Sequence, residues 1–218
     1  MAKGIYRFGR YGMAFLAVGV ALYSMRFWLV PAGILLGIDD GIRGVIDRVP
    51  VQALIHMMVA PIALATGPFQ FWGELRARAP RFHRWSGRVY AASVLIAGCA
   101  ALATAPFASG GPVAGLGFGL LAICWIWTTS MGWWTARKRQ FSRHRIWMRF
   151  SYAMTFGAVT LRLQIPFGFI LFGYHSYRAM TPWLAYTSWI PNVVVVALYS
   201  FVNQKRRASP ATVWERPA

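Results

Sequence analysis

Six apolar stretches, each long enough to cross a bilayer, alternate with short arginine-rich turns along these 218 residues. About 20 mainly apolar residues at 1.5 Å each cover the roughly 30 Å of hydrocarbon in a membrane. The stretches are 11–36, 51–72, 89–108, 114–135, 146–173 and 183–202. None alternates apolar and polar residues with a period of two, which argues against a β-barrel. The expected fold class is therefore all-α: a polytopic helical bundle with six transmembrane helices, forming one membrane domain over residues 1–218. Composition agrees, since 57% of residues are hydrophobic and only 13% charged. A soluble chain carries about 25% charged and 45–50% apolar residues. Its surplus apolar surface needs lipid.

The net charge of +18 suggests nucleic acid at first sight. Nucleic-acid readers, however, spread Lys and Arg over a solvated face, whereas here they sit in clusters between apolar runs. No nucleic-acid partner is expected. Two cysteines, Cys99 and Cys124, both inside apolar runs, exclude a disulfide scaffold. Soluble domains are not expected either, because residues 1–10, the tail 204–218 and the loops are too short to bury a core.

Basic loops stay on the cytoplasmic side, so the distribution of Lys and Arg gives an orientation. One side collects Lys3, Arg7 and Arg10, then Arg76 to Arg88, Arg137 to Arg149, and Lys205 to Arg216. The other holds only Arg43, Arg48 and Arg178, the first two in a loop shared with Asp39, Asp40 and Asp47. Both termini are thus expected in the cytoplasm, and the first span reads as an uncleaved anchor because no small-residue cleavage site follows it. Trp72, Trp85, Trp133, Trp134 and Trp147 fall near the inner boundary, as interfacial aromatic rings do.

Sliding the chain against itself at an offset of 61 residues lays Trp72, Arg76, Arg78, His83, Arg84 and Arg88 onto Trp133, Arg137, Arg139, His144, Arg145 and Arg149. A parallel repeat of spans 2 and 3 as spans 4 and 5 would give this pattern, with a pseudo-two-fold axis along the membrane normal. His83 and His144 would then face one another at one depth. Each opens a span that runs outward. Arg84, Arg88, Arg145 and Arg149 there oppose the helix dipole by some tenths of a kcal/mol each unless an anion neutralises them. Two readings fit. One is a ligand site holding haem propionates with bis-imidazole ligation, a quinone head group or a phosphate; His83 and His144 are metal ligands only if the metal is haem iron. The other is attraction to anionic phospholipid at the cytoplasmic face, worth about 1 kcal/mol per basic residue.

A second polar constellation is expected in the outer half of the membrane. Arg26 lies 15 residues beyond Tyr11 and Arg162 lies 15 beyond Trp147, so each is about 22 Å above the inner boundary. His56 reaches a similar depth from the other side. No span supplies an acid to balance Arg26, His56 and Arg162, and an intramembrane charge is a functional hypothesis by default. Snorkelling of Arg26 to Asp39 or Asp40 is the plainer reading. Gln52, Gln164 and Asn192 are candidates to complete a pocket. Gly115, Gly117 and Gly119 suggest close helix packing in span 4. No catalytic triad, carboxylate pair or zinc spacing appears among five acidic residues, which directs any enzymatic reading toward redox chemistry.

The runs LIHMMVAPIALATGPFQFW, FHRWSGRVYA and HRIWMRFSYAMTFGAVTLR together resemble an uncharacterised family of bacterial multi-pass membrane proteins, filed as a domain of unknown function. The resemblance covers spans 2 to 5 and implies the bacterial inner membrane. More distantly, the arrangement is similar to the cytochrome b561-like proteins, whose spans 3 and 5 share one b haem and spans 2 and 4 another. His83 and His144 match the first pair. His56 has no partner on span 4, where the offset lands on Gly117, so the second haem pair is not matched. Three functions follow as expectations: a redox-type protein binding haem b or a quinone near the cytoplasmic face; a non-catalytic accessory subunit of a larger membrane complex, or an anionic-lipid binder; and a small anion carrier.

Overall fold

A computed structural model describes residues 2–34, 37–172 and 177–208. Among these there is no strand, and six helical segments are long and apolar enough to span a membrane. The shortest has 22 residues, about 33 Å of rise.

Span 1 begins as α1 (Ala2–Ser24) and continues through Met25–Ala32 as a 3-10 helix containing Pro31 and closed by left-handed Gly33. Eight residues is long for that conformation, which usually lasts one turn. The amphipathic α2 (Asp40–Arg48) follows, capped by Asp39, whose carboxylate accepts from the Gly41 N–H at 2.7 Å. Span 2 is α3 (Pro50–Thr66) with a 3-10 turn over Pro68–Phe71, and α4 (Gly73–Arg78) covers the next loop. Span 3 is α5 (Pro80–Thr104), extended by a turn over Ala105–Phe107. Span 4 is α6 (Gly111–Arg137). Span 5 is broken into α7 (Phe141–Thr155) and α8 (Gly157–Phe172), and span 6 into α9 (Tyr177–Thr187) and α10 (Ile190–Ala208).

Three spans start earlier than hydropathy alone places them, at Pro80, Phe141 and Tyr177 rather than at 89, 146 and 183. Pro80 occupies the first helical position, where proline's fixed φ is an advantage and its missing N–H costs nothing. Arg and Trp side chains can extend these ends past the hydrocarbon while their polar tips stay wet. His83 and His144 therefore open α5 and α7, within their first turns.

The helices of spans 2 to 5 close a ring: α3 packs along α5, α5 along α6, α6 along α7, and α7 touches α3. α5 and α7 thus face one another across the ring. α1 lies against α3 and α8, α9 against α6, and α10 against α7. Close approach is bought by small residues. A Cβ on Gly67 would strike the Tyr152 ring, one on Gly115 would come within 2.7 Å of the Ala105 carbonyl, and one on Gly117 within 2.8 Å of the Ala185 Cβ. Outside the ring the surface is apolar, with Ile170 79% and Phe15 78% exposed. In water this would be untenable; in hydrocarbon it is the expected exterior.

Candidate functional site

The centre of the ring is polar. Tyr90 on α5 bonds Ser151 and Thr155 on α7 at 2.7 and 2.8 Å, Thr129 on α6 bonds Ser151 at 2.6 Å, and the Trp125 indole N–H donates to Thr155 at 2.9 Å. All five side chains are buried. Four hydroxyl protons serve these contacts, and Thr155 has two acceptors in reach, Tyr90 and the Ser151 carbonyl at 3.0 Å. Thr129 donates to the Trp125 carbonyl at 2.8 Å, so Ser151 donates to Thr129 and Tyr90 to Ser151, while Thr155 shares its single proton between Tyr90 and the Ser151 carbonyl. The circuit runs from the Trp125 side chain back to the Trp125 backbone. It ties α5, α6 and α7 together without leaving an unsatisfied hydroxyl in the core.

His83 lies seven residues before Tyr90, and His144 seven before Ser151. Seven residues is nearly two helical turns, so each imidazole shares the face of its helix with a member of the circuit, roughly 10 Å nearer the basic end. The two histidines are within electrostatic range of one another, and His83 also of Arg76 and Arg84. The His144 Nδ1–H donates to the Gly132 carbonyl at 2.8 Å. A carbonyl only accepts, so the proton is on Nδ1 and Nε2 keeps its lone pair in the neutral ring. His83 differs: its Nδ1 is buried and has no hydrogen-bond partner. The Trp72 Nε1, at the entrance to α4, is likewise buried and unpartnered.

Of the four arginines expected around these histidines, Arg84 alone is within electrostatic range of His83. Arg88 stacks over exposed Trp85 at 4.8 Å, Arg145 donates to Ser142 at 3.4 Å, and Arg149 sits over Tyr199 of span 6 at 5.2 Å. The helical period explains this, because Arg88 and Arg149 are five residues beyond their histidines, half a turn away around the helix. Arg76 on α4, rather than Arg88, is the second arginine within electrostatic range of His83. The motif residues have structural partners too. Gln70 donates to Ser86 at 2.7 Å, and a Cβ on Gly87 would sit 3.2 Å from Gln70 Oε1, so the Gly-Pro-x-Gln turn docks on the start of α5.

The outer constellation also assembles. Arg162 on α8 donates to the Ala158 carbonyl and, across to span 1, to Ser24 Oγ, each at 3.0 Å. It is within electrostatic range of Arg26 and of His56. The His56 Nδ1–H donates to the Ala97 carbonyl at 3.0 Å. Arg26 lies over the Tyr23 ring at 3.9 Å, and its Nε is buried and unpartnered. Among the described residues Arg26 forms no ion pair with Asp39 or Asp40; Arg10 pairs with Glu74 at the basic end. Intramembrane charge costs at least about 2.5–3.5 kcal/mol per residue. Gln164 and Asn192 do not join this group. They bond Thr187, and Thr160 with the Ser188 carbonyl, tying span 5 to span 6. His175 lies outside the described residues.

With the spans, the turns and both polar groups in place, comparison with known proteins gives one match. A family model described as a predicted membrane protein, DUF2306, fits residues 53–200, about two thirds of the chain. The chain belongs to this family. The matched region contains His56, His83, His144, Arg162 and the whole hydroxyl circuit, whereas Arg26 and Ser24 come from span 1, which precedes it. No curated protein and no solved structure matches the chain.

Proposed function

We propose that this DUF2306 protein is a redox-type protein of the bacterial inner membrane, with its basic end in the cytoplasm, that binds a b haem between His83 and His144. The observation that carries this reading is that His83 and His144 stand within electrostatic range of one another, on helix faces joined two turns away by Tyr90 and Ser151. Tested against the donor set, haem fits at His144. An imidazole that ligates iron usually donates its other N–H to a carbonyl or carboxylate, and His144 does so to Gly132. The Nε2 atoms of His83 and His144 would hold the iron, and Arg76 and Arg84 would pair with the propionates. When bound, the group supplies one-electron transfer. The chain's own part is to fix the imidazoles, exclude water above them with the Tyr90 circuit, and neutralise anionic groups at the mouth.

The unpartnered His83 Nδ1 favours a second ligand of the same class, a quinone, whose carbonyl would accept from a protonated Nδ1. Arg88 and Arg149, turned onto Trp85 and Tyr199, are better suited to anionic phospholipid than to the site. An accessory role in a larger membrane complex is compatible with either ligand. The test is an absorption spectrum of protein extracted from membranes in mild detergent, reduced and oxidised, followed by solvent extraction and chromatography for quinone. The expected result is a Soret band that His83→Ala or His144→Ala each abolishes. Colourless protein that also yields no quinone overturns the proposal.

A further inference from the structure

The redox reading leaves the group at the opposite end without a role. We propose that Arg26, Arg162 and His56 form a binding site for a phosphate-type oxyanion, in a lipid head group or free in solution, between spans 1, 2 and 5. Two guanidinium groups from different spans stand within electrostatic range of one another, which is repulsive in a medium of low dielectric constant unless an anion lies between them. Beside Arg162 stands the Tyr177 phenol, which is within electrostatic range of Asp39. Among the described residues no carboxylate pairs with either arginine, and the nearest acidic side chain in sequence, Asp39, is engaged at the N-terminus of α2.

The donors left over match the ligand. Arg162 uses two of its N–H groups on Ala158 and Ser24, which fix its plane and leave others unspent. Arg26 has a buried Nε without a partner, and its head is steered by the Tyr23 ring and lies beside Gly37, whose positive φ brings the backbone close. Planar guanidinium forks present paired donors to phosphate oxygens. His56, whose Nδ1–H is held by Ala97, keeps the Nε2 lone pair as an acceptor for the P–OH of a protonated phosphate. Arg26 sits in the 3-10 stretch of span 1, and a helix segment of that kind adjusts more readily than an α-helix. The depth, about 22 Å above the basic boundary of a roughly 30 Å core, is within reach of outer head groups.

The full chain, stripped of lipid in detergent, is titrated calorimetrically with inorganic phosphate against a chloride background. In parallel it is scored by native mass spectrometry for retention of added phosphatidylglycerol. Saturable phosphate binding identifies a soluble oxyanion, and lipid retention alone identifies a head group; either supports the proposal if Arg26→Gln and Arg162→Gln weaken it roughly tenfold or more while Arg43→Gln on exposed α2 changes it less than about twofold. Arg162→Gln also removes two structural hydrogen bonds, so Arg26→Gln, which removes none, decides the case. Binding of neither probe, or binding indifferent to Arg26→Gln, overturns it.

Discussion

The hydroxyl circuit makes a prediction about which of two conservative changes is the more damaging. Tyr90→Phe removes two hydrogen bonds but strands no donor. Thr155 can turn its proton to the Ser151 carbonyl, 3.0 Å away, and Ser151 still donates to Thr129. At about 0.5–1.5 kcal/mol per hydrogen bond, less in membranes, the cost is about 1–2 kcal/mol. Thr155→Val is nearly isosteric, yet it removes the acceptor of the Trp125 indole N–H, which is buried where water cannot replace it. An orphaned buried donor costs about 1–3 kcal/mol in addition to the bond lost to Tyr90, so about 2–4 kcal/mol in total. Equilibrium unfolding by dodecyl sulfate in maltoside micelles, followed by circular dichroism, measures both. Tyr90→Phe costing as much as Thr155→Val would show that the Trp125 indole does not depend on Thr155 as its acceptor.

Two further changes test the packing. Gly67→Ala places a methyl against the Tyr152 ring, which Phe71, Tyr90 and Phe156 hold from other sides; it should destabilise by about 1–3 kcal/mol in the same assay, and replacing Tyr152 with Leu as well should recover part of the loss. Arg139 ends α6 in the left-handed region at φ 58°, in the place a Schellman turn normally gives to glycine, with Gln140 N–H bonded to the Thr135 carbonyl. Arg139→Gly should raise stability by about 1 kcal/mol, because relief of the left-handed penalty outweighs the few tenths lost from a cation near a helix C-terminus; an unchanged or lower midpoint would contradict this.

The spans were legible because an uninterrupted apolar run has one physical solution in lipid. Their internal breaks were not. Pro31 and Pro166 sit inside apolar runs, where neighbouring helices decide whether a proline kinks a span or is absorbed. The early start of α5 left a readable signal, Pro80 ahead of a basic amphipathic stretch, which hydropathy alone overrides. His83 and His144 were found from the 61-residue offset. Carried seven residues further, the same offset sets Tyr90 on Ser151, the pair that bonds at 2.7 Å. Trp125 and Thr129 had no such signal, because a buried indole or hydroxyl looks in sequence like any interfacial or packing residue. Arg76 was missed because α4 reads as loop, and only its fold brings that side chain toward His83.

Ser24 and Arg162 are 138 positions apart, and ribosomal synthesis delivers them in that order. The hydroxyl is therefore already within the lipid when the guanidinium arrives, four spans later, and offers a waiting acceptor to a residue that would otherwise resist insertion. A nascent chain lacking its first span is expected to insert its fifth less efficiently, a dependence on a segment that precedes residues 53–200, where the family model fits.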